Sequence, residues 1–231
     1  MIWNEELQKE IPEGFEIKSL GEIFDLNFGG DLGKETLNGN YTQKVYCVRG
    51  ADIPDVKFGN IIKMPMRFIL PKNLISKQLK HNDLVVEISG GSLTQSTGRI
   101  LDISKEFLNR FDIPLICSNF CKVIRSKNIY NNIFIYYYWQ YMYDKKVFFS
   151  YENGTTGIKN LDLASISKKE KIVIPPTTLK QYINFNIFCE KKNKIIFNNA
   201  LQNQRLAELR DTLLPRLMSG ELDVSALKYK I

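Results

Sequence analysis

The sequence of 231 residues has few of the residue types on which many catalytic and metal sites depend. It contains one histidine, His81, and four cysteines, too few for a histidine-rich metal site or for a zinc site built from cysteine. His81 precedes Asn82 and Asp83, and this composition is typical of an exposed turn before a strand. The sequence therefore predicts neither kind of metal centre.

Long apolar runs are missing as well. The longest, residues 133–143, is interrupted by Gln140 and is well short of the roughly 20 residues that a membrane-spanning helix needs. Residues 1–10 lack the basic region and the apolar run of a secretory signal. The cysteines lie in or beside apolar strings, as reduced cysteines do in cytosolic proteins. These absences predict a cytoplasmic protein.

The charge balance is moderately basic. Lys and Arg number 32 against 25 Asp and Glu, a formal net charge of +7, and 44% of the residues are hydrophobic. This composition is typical of a globular protein, and the positive charge makes nucleic acid a natural partner. Charge alone does not identify the partner, because its density is far below that of a histone-like tail.

The pattern of the chain changes after Pro176. Before it, short apolar segments between turn signals predict strands at residues 15–18, 45–49, 83–89, 117–125 and 171–174. A helix is predicted at residues 131–149. The predicted fold class is therefore α+β, with one mixed α/β domain at residues 1–176.

Residues 177–231 are predicted to form a separate helical module. No glycine occurs before Gly220, and the only proline is Pro215. Thr177 or Thr178 is a suitable N-cap, and Gly220 belongs to a suitable stop signal. The helix would be roughly 50 Å long at about 1.5 Å per residue. We expect its own small domain to be too short to cover it.

Residues of this helix recur at heptad spacing. Phe188, Ile195, Gln202 and Leu209 form one series, and Asn199, Leu206 and Leu213 belong to a companion series offset by four residues. Apolar residues at such positions form the seam of a coiled coil, and polar residues there lower stability but fix the register. The two series therefore predict a dimerisation surface on which a helix of a second chain packs.

Candidate catalytic motifs fail at particular positions. Residues 30–35 resemble part of a phosphate loop, but the spacing is wrong and Glu35 stands where a Ser or Thr should hold Mg²⁺. A metal-dependent nuclease would need converging carboxylates and a lysine. Asp55 is a candidate, but Glu190 lies on the long helix, where a solvated face is the simpler interpretation. Residues 174–177 lack the amide and the aromatic ring with which adenine methyltransferases stack their target base.

Aromatic residues are concentrated between Tyr130 and Tyr151. Such a block could be a stacking platform for unpaired bases. A helix saturated with aromatic residues is more typical of a hydrophobic core, with the hydroxyl groups at its rim. We favour the core and keep the platform as the alternative.

Three segments together resemble the specificity subunit of Type I restriction-modification systems. Residues 11–23 (IPEGFEIKSLGEI) are similar to the beginning of a target recognition domain of that family. Residues 155–161 (TTGIKNL), followed by 171–176, are similar to its exit into the conserved spacer helix, and residues 210–224 (RDTLLPRLMSGELDV) are similar to the end of the distal helix. The family's usual subunit has two recognition domains and two spacer helices. This chain has room for one of each, so it resembles a half-subunit.

The resemblance implies a non-catalytic protein that reads double-stranded DNA while its partners act on it. In the family, each recognition domain reads one half of a split site, and antiparallel spacer helices hold two domains at a fixed separation. Methylation subunits carrying S-adenosylmethionine dock on the specificity subunit, and a restriction subunit adds the nuclease. A homodimer of half-subunits, paired through an antiparallel coiled coil, would read an interrupted palindrome. The resemblance implies no cofactor on this chain itself.

Side chains that read base edges must be polar and must lie on loops that can enter a groove. By residue type, the candidates on this chain are Gln43, Lys44, Arg49, Ser92, Thr94, Gln95, Ser96, Arg99, Thr155, Thr156 and Lys159. The alternative for residues 92–99 is an ordinary exposed loop. The alternative for residues 155–159 is a cap and turn before a short helix.

Two other functions stay open from the sequence. The chain could be a small stand-alone restriction endonuclease with a metal site centred on Asp55. It could also be a silent cassette that exchanges its recognition domain with a longer specificity subunit and is not itself assembled.

Overall fold

Short strands alternate with short helices up to residue 174, and one long helix follows. The structure, a computed structural model, describes residues 1–61, 63–92, 94–127, 132–154 and 157–222. The strands are β1 (Ile2–Asn4), β2 (Lys9–Ile11), β3 (Glu16–Ser19), β4 (Phe24–Gly29), β5 (Gln43–Val48), β6 (Met66–Ile69), β7 (Asp83–Glu87), β8 (Ser89–Gly90), β9 (Ile100–Asp102), β10 (Leu115–Cys117), β11 (Cys121–Ser126), β12 (Glu152–Asn153), β13 (Lys159–Leu161) and β14 (Lys171–Ile174). The helices are α1 (Leu20–Ile23), α2 (Ile53–Val56), α3 (Pro71–Lys77), α4 (Lys105–Leu108), α5 (Asn132–Asp144), α6 (Leu163–Lys169) and α7 (Lys180–Met218), with 3₁₀ turns at Gly50–Asp52 and Val147–Tyr151. The predicted fold class is confirmed.

The centre of the domain is an antiparallel sheet with the strand order β4-β11-β7-β9. Successive residues of a strand point to opposite faces of a sheet, so these strands supply two hydrophobic cores. In β7, Leu84 and Val86 pack into one core and Val85 packs into the other. The sheet is covered on both faces, which accounts for the uninterrupted apolar run in the sequence of this strand.

The two cores are built from different elements. The first contains residues of α1, α5 and α6, and its largest fully buried side chains are Trp139 and Phe148, with ring centroids 4.7 Å apart. The second lies against β5 and β10 and includes Phe107 of α4 and Phe197 of α7. Most aromatic residues described in α5 therefore belong to the core, as the sequence favoured, and Tyr141 is the exposed exception among them.

Strands β3 and β14 join the beginning of the domain to its end. They pair antiparallel, with Ile17 opposite Val173 and Lys18 opposite Ile172. Residues 11–23 and 171–176, two of the segments that resemble the family, thus contain neighbouring strands. The chain enters the domain beside the point where it leaves toward α7.

Helix α7 has 39 residues and is therefore about 58 Å long. Its N-cap is Leu179, without a side-chain hydrogen bond, so the prediction that Thr177 or Thr178 caps the helix was wrong. The helix ends at Met218, next to the predicted stop signal.

The first half of α7 packs against its own domain, while its second half extends beyond it, so the domain covers only part of the helix. Tyr182 lies 5.3 Å from Phe134 of α5, measured between ring centroids, and Phe197 lies 5.8 Å from Phe107 of α4. Phe197 is the last buried residue of the helix. The helix is thus docked over its first half and projects from the domain over its second.

The segment 117–125 contains two strands rather than the predicted single strand. Cys121 N donates a hydrogen bond to Ser118 O at 3.0 Å, so that Asn119 and Phe120 form a turn between β10 and β11.

The predicted helix at 131–149 also ends early, at Asp144. Lys146 adopts a left-handed conformation with φ of 60°, which no α-helix can continue through.

In the part of the chain that the structure describes, no helix combines the length and the apolar character needed to cross a membrane.

Candidate nucleic-acid interface

Four connecting segments meet at one edge of the central sheet. Strands β5 and β10 are parallel, so Arg49 and Ser118 follow their ends side by side, and Ser118 N donates to Val48 O at 2.9 Å. Ile88 N, which follows β7, donates to Phe120 O at 2.8 Å. Strand β8 pairs with β13, and β13 pairs with β12. We name this surface the loop face; it consists of the described residues within 49–52, 88–99, 118–121 and 152–161.

Two arginines of the loop face are held by buried carboxylates. Arg99 makes a bidentate ion pair with Glu87, in which its Nε donates at 2.7 Å, and Glu87 is only 2% exposed. Arg49 donates from Nε and Nη2 to the two oxygens of Asp52 at 2.9 and 2.8 Å. Hydrogen bonding to these carboxylates raises the pKa of both guanidinium groups. Because the bidentate edges are already occupied, the geometry suits these arginines to fixing the loops more than to reading guanine.

Ser92, Thr94 and Gln95 form the exposed tip of the loop that follows β8. Ser92 N donates to Gln95 O at 2.7 Å, and Gln95 N donates to Ser92 Oγ at 3.1 Å. Thr94 N also donates to this hydroxyl oxygen, at 3.3 Å. These bonds close the turn on itself and leave the Gln95 amide at the surface, where it can meet a ligand.

The base of the same loop is fixed to the domain. Thr97 donates from its N and Oγ1 to one oxygen of Glu152, at 2.6 and 2.9 Å. Trp139 Nε1 donates to Gly98 O at 2.8 Å. Ser96 is 3% exposed, so this candidate lies below the surface while its neighbours at the tip are exposed. The loop is therefore a polar tip on a rigid base.

Lys159 lies on β13 opposite Gly90 of β8. Its ammonium group pairs with Glu152 at 2.8 Å and lies 5.1 Å from the centre of the Phe149 ring. The structure thus brings Lys159 to the same surface as the loop tip, although the sequence separates them by more than 60 residues. The candidates Thr155 and Thr156 lie outside the described residues.

Gln43 and Lys44 are not brought to the loop face. They begin β5 and pair there with Ile69 and Phe68 of β6, whereas Arg49 follows the other end of the strand. At about 3.3 Å per residue, the length of β5 separates Gln43 from Arg49 by roughly 20 Å and Lys44 from Arg49 by roughly 17 Å.

The turn that contains Asn119 and Phe120 was not predicted from the sequence. Both residues are exposed, and Phe120 presents 41% of its surface although it is aromatic. They were hidden because residues 117–125 were assigned to one strand. Ser118 and Asn119 in the middle of that segment are typical turn residues, and this signal could have located the turn.

A second polar feature lies between α7 and the domain. It is a cleft of about 690 Å³ whose lining includes Asp102 of β9, Glu106 of α4 and Glu190 of α7. Burial, followed by the negative charges of Glu106 and Glu190, raises the pKa of Asp102 to about 7. The docked part of α7 is thus held close to carboxylates of the domain.

Asp55, on which the endonuclease alternative depends, belongs to α2. Its carboxylate accepts a hydrogen bond from Lys63 Nζ at 3.2 Å. Within the described ranges, no three His, Cys, Asp or Glu side chains are grouped closely enough to hold a metal ion.

One face of α7 points away from the domain. Of the seven predicted dimerisation residues, six are exposed and Leu213 is half-buried. We name them the outer stripe: Phe188, Ile195, Asn199, Gln202, Leu206, Leu209 and Leu213. Exposed apolar side chains at heptad spacing are the kind of surface that a partner helix covers.

Comparison with known proteins finds matches along most of the chain. The family model Methylase_S, described as Type I restriction modification DNA specificity domain, matches residues 12–209. The Type I restriction enzyme MjaIX specificity subunit of Methanocaldococcus jannaschii is 28% identical over 233 residues, which cover 98% of this chain and 48% of that protein. The Type I restriction enzyme HindI specificity subunit of Haemophilus influenzae is 39% identical over 74 residues, 30% of this chain and 15% of that protein.

Solved structures share the fold. The Type I restriction-modification S subunit from M. genitalium superimposes with a TM-score of 0.58 at 15% identity, over 91% of this chain and 48% of that chain. A chain from a structure describing complex assembly and conformational transition of the type I R-M system gives a TM-score of 0.51 at 13% identity, over 90% of this chain and 46% of that chain. The present chain therefore spans about half the length of these structures and of the M. jannaschii relative.

Proposed function

The chain belongs to the Type I restriction modification DNA specificity family, and from this premise we propose that it is a non-catalytic subunit whose loop face reads one half of a bipartite double-stranded DNA site. The observation that carries the proposal is the convergence of exposed polar tips on a fixed backbone. Ser92, Thr94 and Gln95 project at the loop face, and Lys159 lies beside them. Groups held in place before binding lose little conformational entropy when they meet base edges.

The outer stripe supports the proposal that two copies act together. Phe188, Ile195, Leu206 and Leu209 are each more than half exposed, although leucine, isoleucine and phenylalanine are usually buried. Pairing of two such stripes in an antiparallel coiled coil would cover them and hold two loop faces at a fixed separation. A two-fold symmetric dimer would then read an interrupted palindrome.

The catalytic steps belong to partner proteins in this proposal. A methylation subunit that carries S-adenosylmethionine docks on the dimer, and a restriction subunit can join the complex. The chain itself contributes DNA specificity and a frame that spaces the two half-sites. It needs no cofactor for this role, and a cytoplasmic location follows from the role as a further prediction.

The experiment that tests this function is methylation mapping in cells. Long-read sequencing of DNA from cells that co-express the chain with its neighbouring methylation subunit is compared with cells that lack the chain. We expect a new methyladenine motif with the form of an interrupted palindrome. A non-palindromic split motif would instead indicate pairing with a different specificity chain, and absence of any motif from a chain that is produced and complexed would contradict the function.

The same cells separate the two alternative functions. A silent cassette would form no complex with the methylation subunit and would direct no motif. An endonuclease would cleave mixed-sequence DNA in the presence of Mg²⁺ when the purified chain is tested alone, with Asp55→Asn as the variant that abolishes cleavage. We expect the purified chain to bind DNA without cutting it.

A further inference from the structure

The turn between β10 and β11 presents two side chains at the loop face that no motif of the sequence indicated. Asn119 and Phe120 occupy its two central positions, and both are exposed. An amide and an aromatic ring at adjacent positions combine a hydrogen-bonding group with an apolar surface. Within the described residues, the Asn119 side chain makes no hydrogen bond that would occupy its amide.

The backbone of this turn is fixed on three sides. Ser118 N donates to Val48 O at 2.9 Å, and the carbonyl of Phe120 accepts from Ile88 N at 2.8 Å. Below the turn lies Gly30, where any side chain would collide with the carbonyl oxygens of Cys117 and Ser118. The main chain directly after β4 therefore supports the turn. An exposed phenylalanine is thus presented by a rigid backbone and not by a mobile loop end.

The position of the turn places it among the groups that the proposed function assigns to DNA. Ser89 N, at the start of the strand that leads to the loop tip, also donates to Phe120 O, at 3.3 Å. Ser89 Oγ donates to Asn160 Oδ1 at 2.5 Å, next to Lys159. The turn is therefore a direct neighbour of both polar segments of the loop face.

We propose that this turn reads an A·T pair in the major groove, with the Asn119 amide bound to adenine and the Phe120 ring covering the methyl group of a thymine at the same or the adjacent pair. The amide group of asparagine can form two hydrogen bonds with the major-groove edge of adenine, in which its N–H donates to N7 and its oxygen accepts from the N6 amino group. Phenylalanine makes apolar contact with the thymine methyl group. The N6 and N7 atoms of adenine and the methyl group of thymine are exposed only in the major groove, which is about 12 Å wide and admits a narrow turn. The inference rests on the proposed function and adds a base preference to it.

The test compares Asn119→Ala and Phe120→Ala with matched variants at exposed residues beside α7. Phe58→Ala and Asn109→Ala are suitable controls, because both residues are exposed and lie beside α7 instead of at the loop face. Their chain neighbours Gly59 and Arg110 share a hydrogen bond, and Gly59 lies against Ala200 of α7. Thermal unfolding verifies that all four variants fold. The methylated motif of the wild-type chain is mapped first, and a duplex carrying it is then used for binding measurements.

Analogue bases distinguish a direct contact from a general loss of binding. Replacing each thymine of the half-site by uracil removes only the methyl group, and we expect one such replacement to weaken wild-type binding roughly fourfold, the factor for one methyl-sized apolar contact. Replacing one adenine by 7-deazaadenine should weaken it about 5- to 150-fold. Phe120→Ala should be insensitive to the uracil replacement, and Asn119→Ala to the deazaadenine replacement.

The outcomes separate this inference from the function on which it rests. A wild-type motif that both variants preserve, with equal responses of wild type and variants to the analogue bases, would overturn the inference and leave the function standing. A wild-type chain that directs no motif and binds no sequence selectively would overturn both. Relaxation of the motif at one A·T position in each half-site, with the controls unchanged, is the result we expect.

Discussion

The loop face and the outer stripe of α7 are both exposed, yet they differ in chemistry and in support. The loop face presents Ser92, Thr94 and Gln95 on a backbone that buried side chains such as Glu87 and Glu152 hold in place. The outer stripe presents mainly apolar side chains on a helix whose second half projects beyond the domain. The first surface suits a polar ligand that must be read group by group, and the second suits a partner helix.

This difference separates recognition from spacing. Preorganised polar groups give specificity because a mismatched base leaves hydrogen-bonding groups unpaired. Burial of an apolar stripe gives stability in proportion to its area and is tolerant of detail. A change at one surface should therefore alter one property and leave the other intact.

The largest effect is expected from the outer stripe. Replacing Leu206, Leu209 and Leu213 together by Gln should convert a dimer to a monomer, because it removes the apolar seam. Affinity for a duplex with two half-sites should fall about 10²- to 10⁴-fold through loss of avidity, whereas affinity for one half-site should stay the same. Sedimentation equilibrium and fluorescence anisotropy measure the two quantities.

The matched control for this variant lies on the same helix. Ile183 and Ile187 are exposed isoleucines of α7 outside the outer stripe, and replacing both by Gln should leave mass and affinity unchanged. A triple-leucine variant that keeps the mass of a wild-type dimer would contradict the assignment of the stripe.

A smaller effect, on folding stability, is expected at the base of the loop face. Arg99→Ala leaves the buried Glu87 carboxylate without its partner, and breaking such a pair costs about 3 kcal/mol or more of the free energy of unfolding. Arg210→Ala is the control, because its ion pair with Asp211 is about two-thirds exposed on both sides and should contribute less than about 1 kcal/mol. Urea denaturation measures both. Equal effects of the two substitutions would show that Glu87 and Arg99 do not anchor the loop.

The smallest effect is expected where α7 meets the domain. The pKa of Asp102 is raised from 3.8 to about 7. Between about pH 4 and pH 7, the folded state therefore keeps a proton on Asp102 that the unfolded chain has released. The contribution of Asp102 to stability is therefore complete below about pH 4 and is lost as the pH rises through 7. The other charged or titratable side chains that line the cleft are Lys80, His81, Asp83, Lys105, Glu106, Arg125, Glu190 and Lys194.

Asp102→Asn should remove this pH dependence. At pH 8 the variant should be more stable than the wild type by about 1 kcal/mol or more, since one unit of pKa corresponds to about 1.4 kcal/mol, and the difference should shrink toward pH 5. Urea denaturation at both pH values measures it, with the exposed Asp112→Asn as control. An unchanged difference between pH 5 and pH 8 would contradict the prediction.

Much of the fold could be predicted because local signals agreed with tertiary structure. Segments 45–49, 83–89 and 171–174 were predicted as strands, and the structure has strands at Gln43–Val48, Asp83–Glu87 and Lys171–Ile174. The long helix was evident because no glycine precedes Gly220 in this segment and its only proline, Pro215, lies near the end. Docking of its first half was not predictable from periodicity alone, because Tyr182 and Phe197 meet partner rings that are distant in sequence.

The residue types of the loop face could be predicted from the sequence, but the positions of its residues in the fold could be predicted only in part. Segments 92–99 and 155–159 were both selected for polar loop residues, and strand pairing brings the described parts of the two segments together. The ion pairs of Arg49 and Arg99 could not be anticipated, since each depends on which carboxylate the fold buries nearby. Asn119 was missed because two strands were interpreted as one.

The most direct test of the central claim, that the loop face reads DNA sequence in pairs held by α7, is selection of binding sites from random duplex DNA by the purified chain with its methylation subunit. We predict enrichment of two inverted copies of one half-site at a fixed spacing, and we expect the triple-leucine variant to lose the fixed spacing. Recovery of random sequence at physiological salt by the wild-type complex would contradict it.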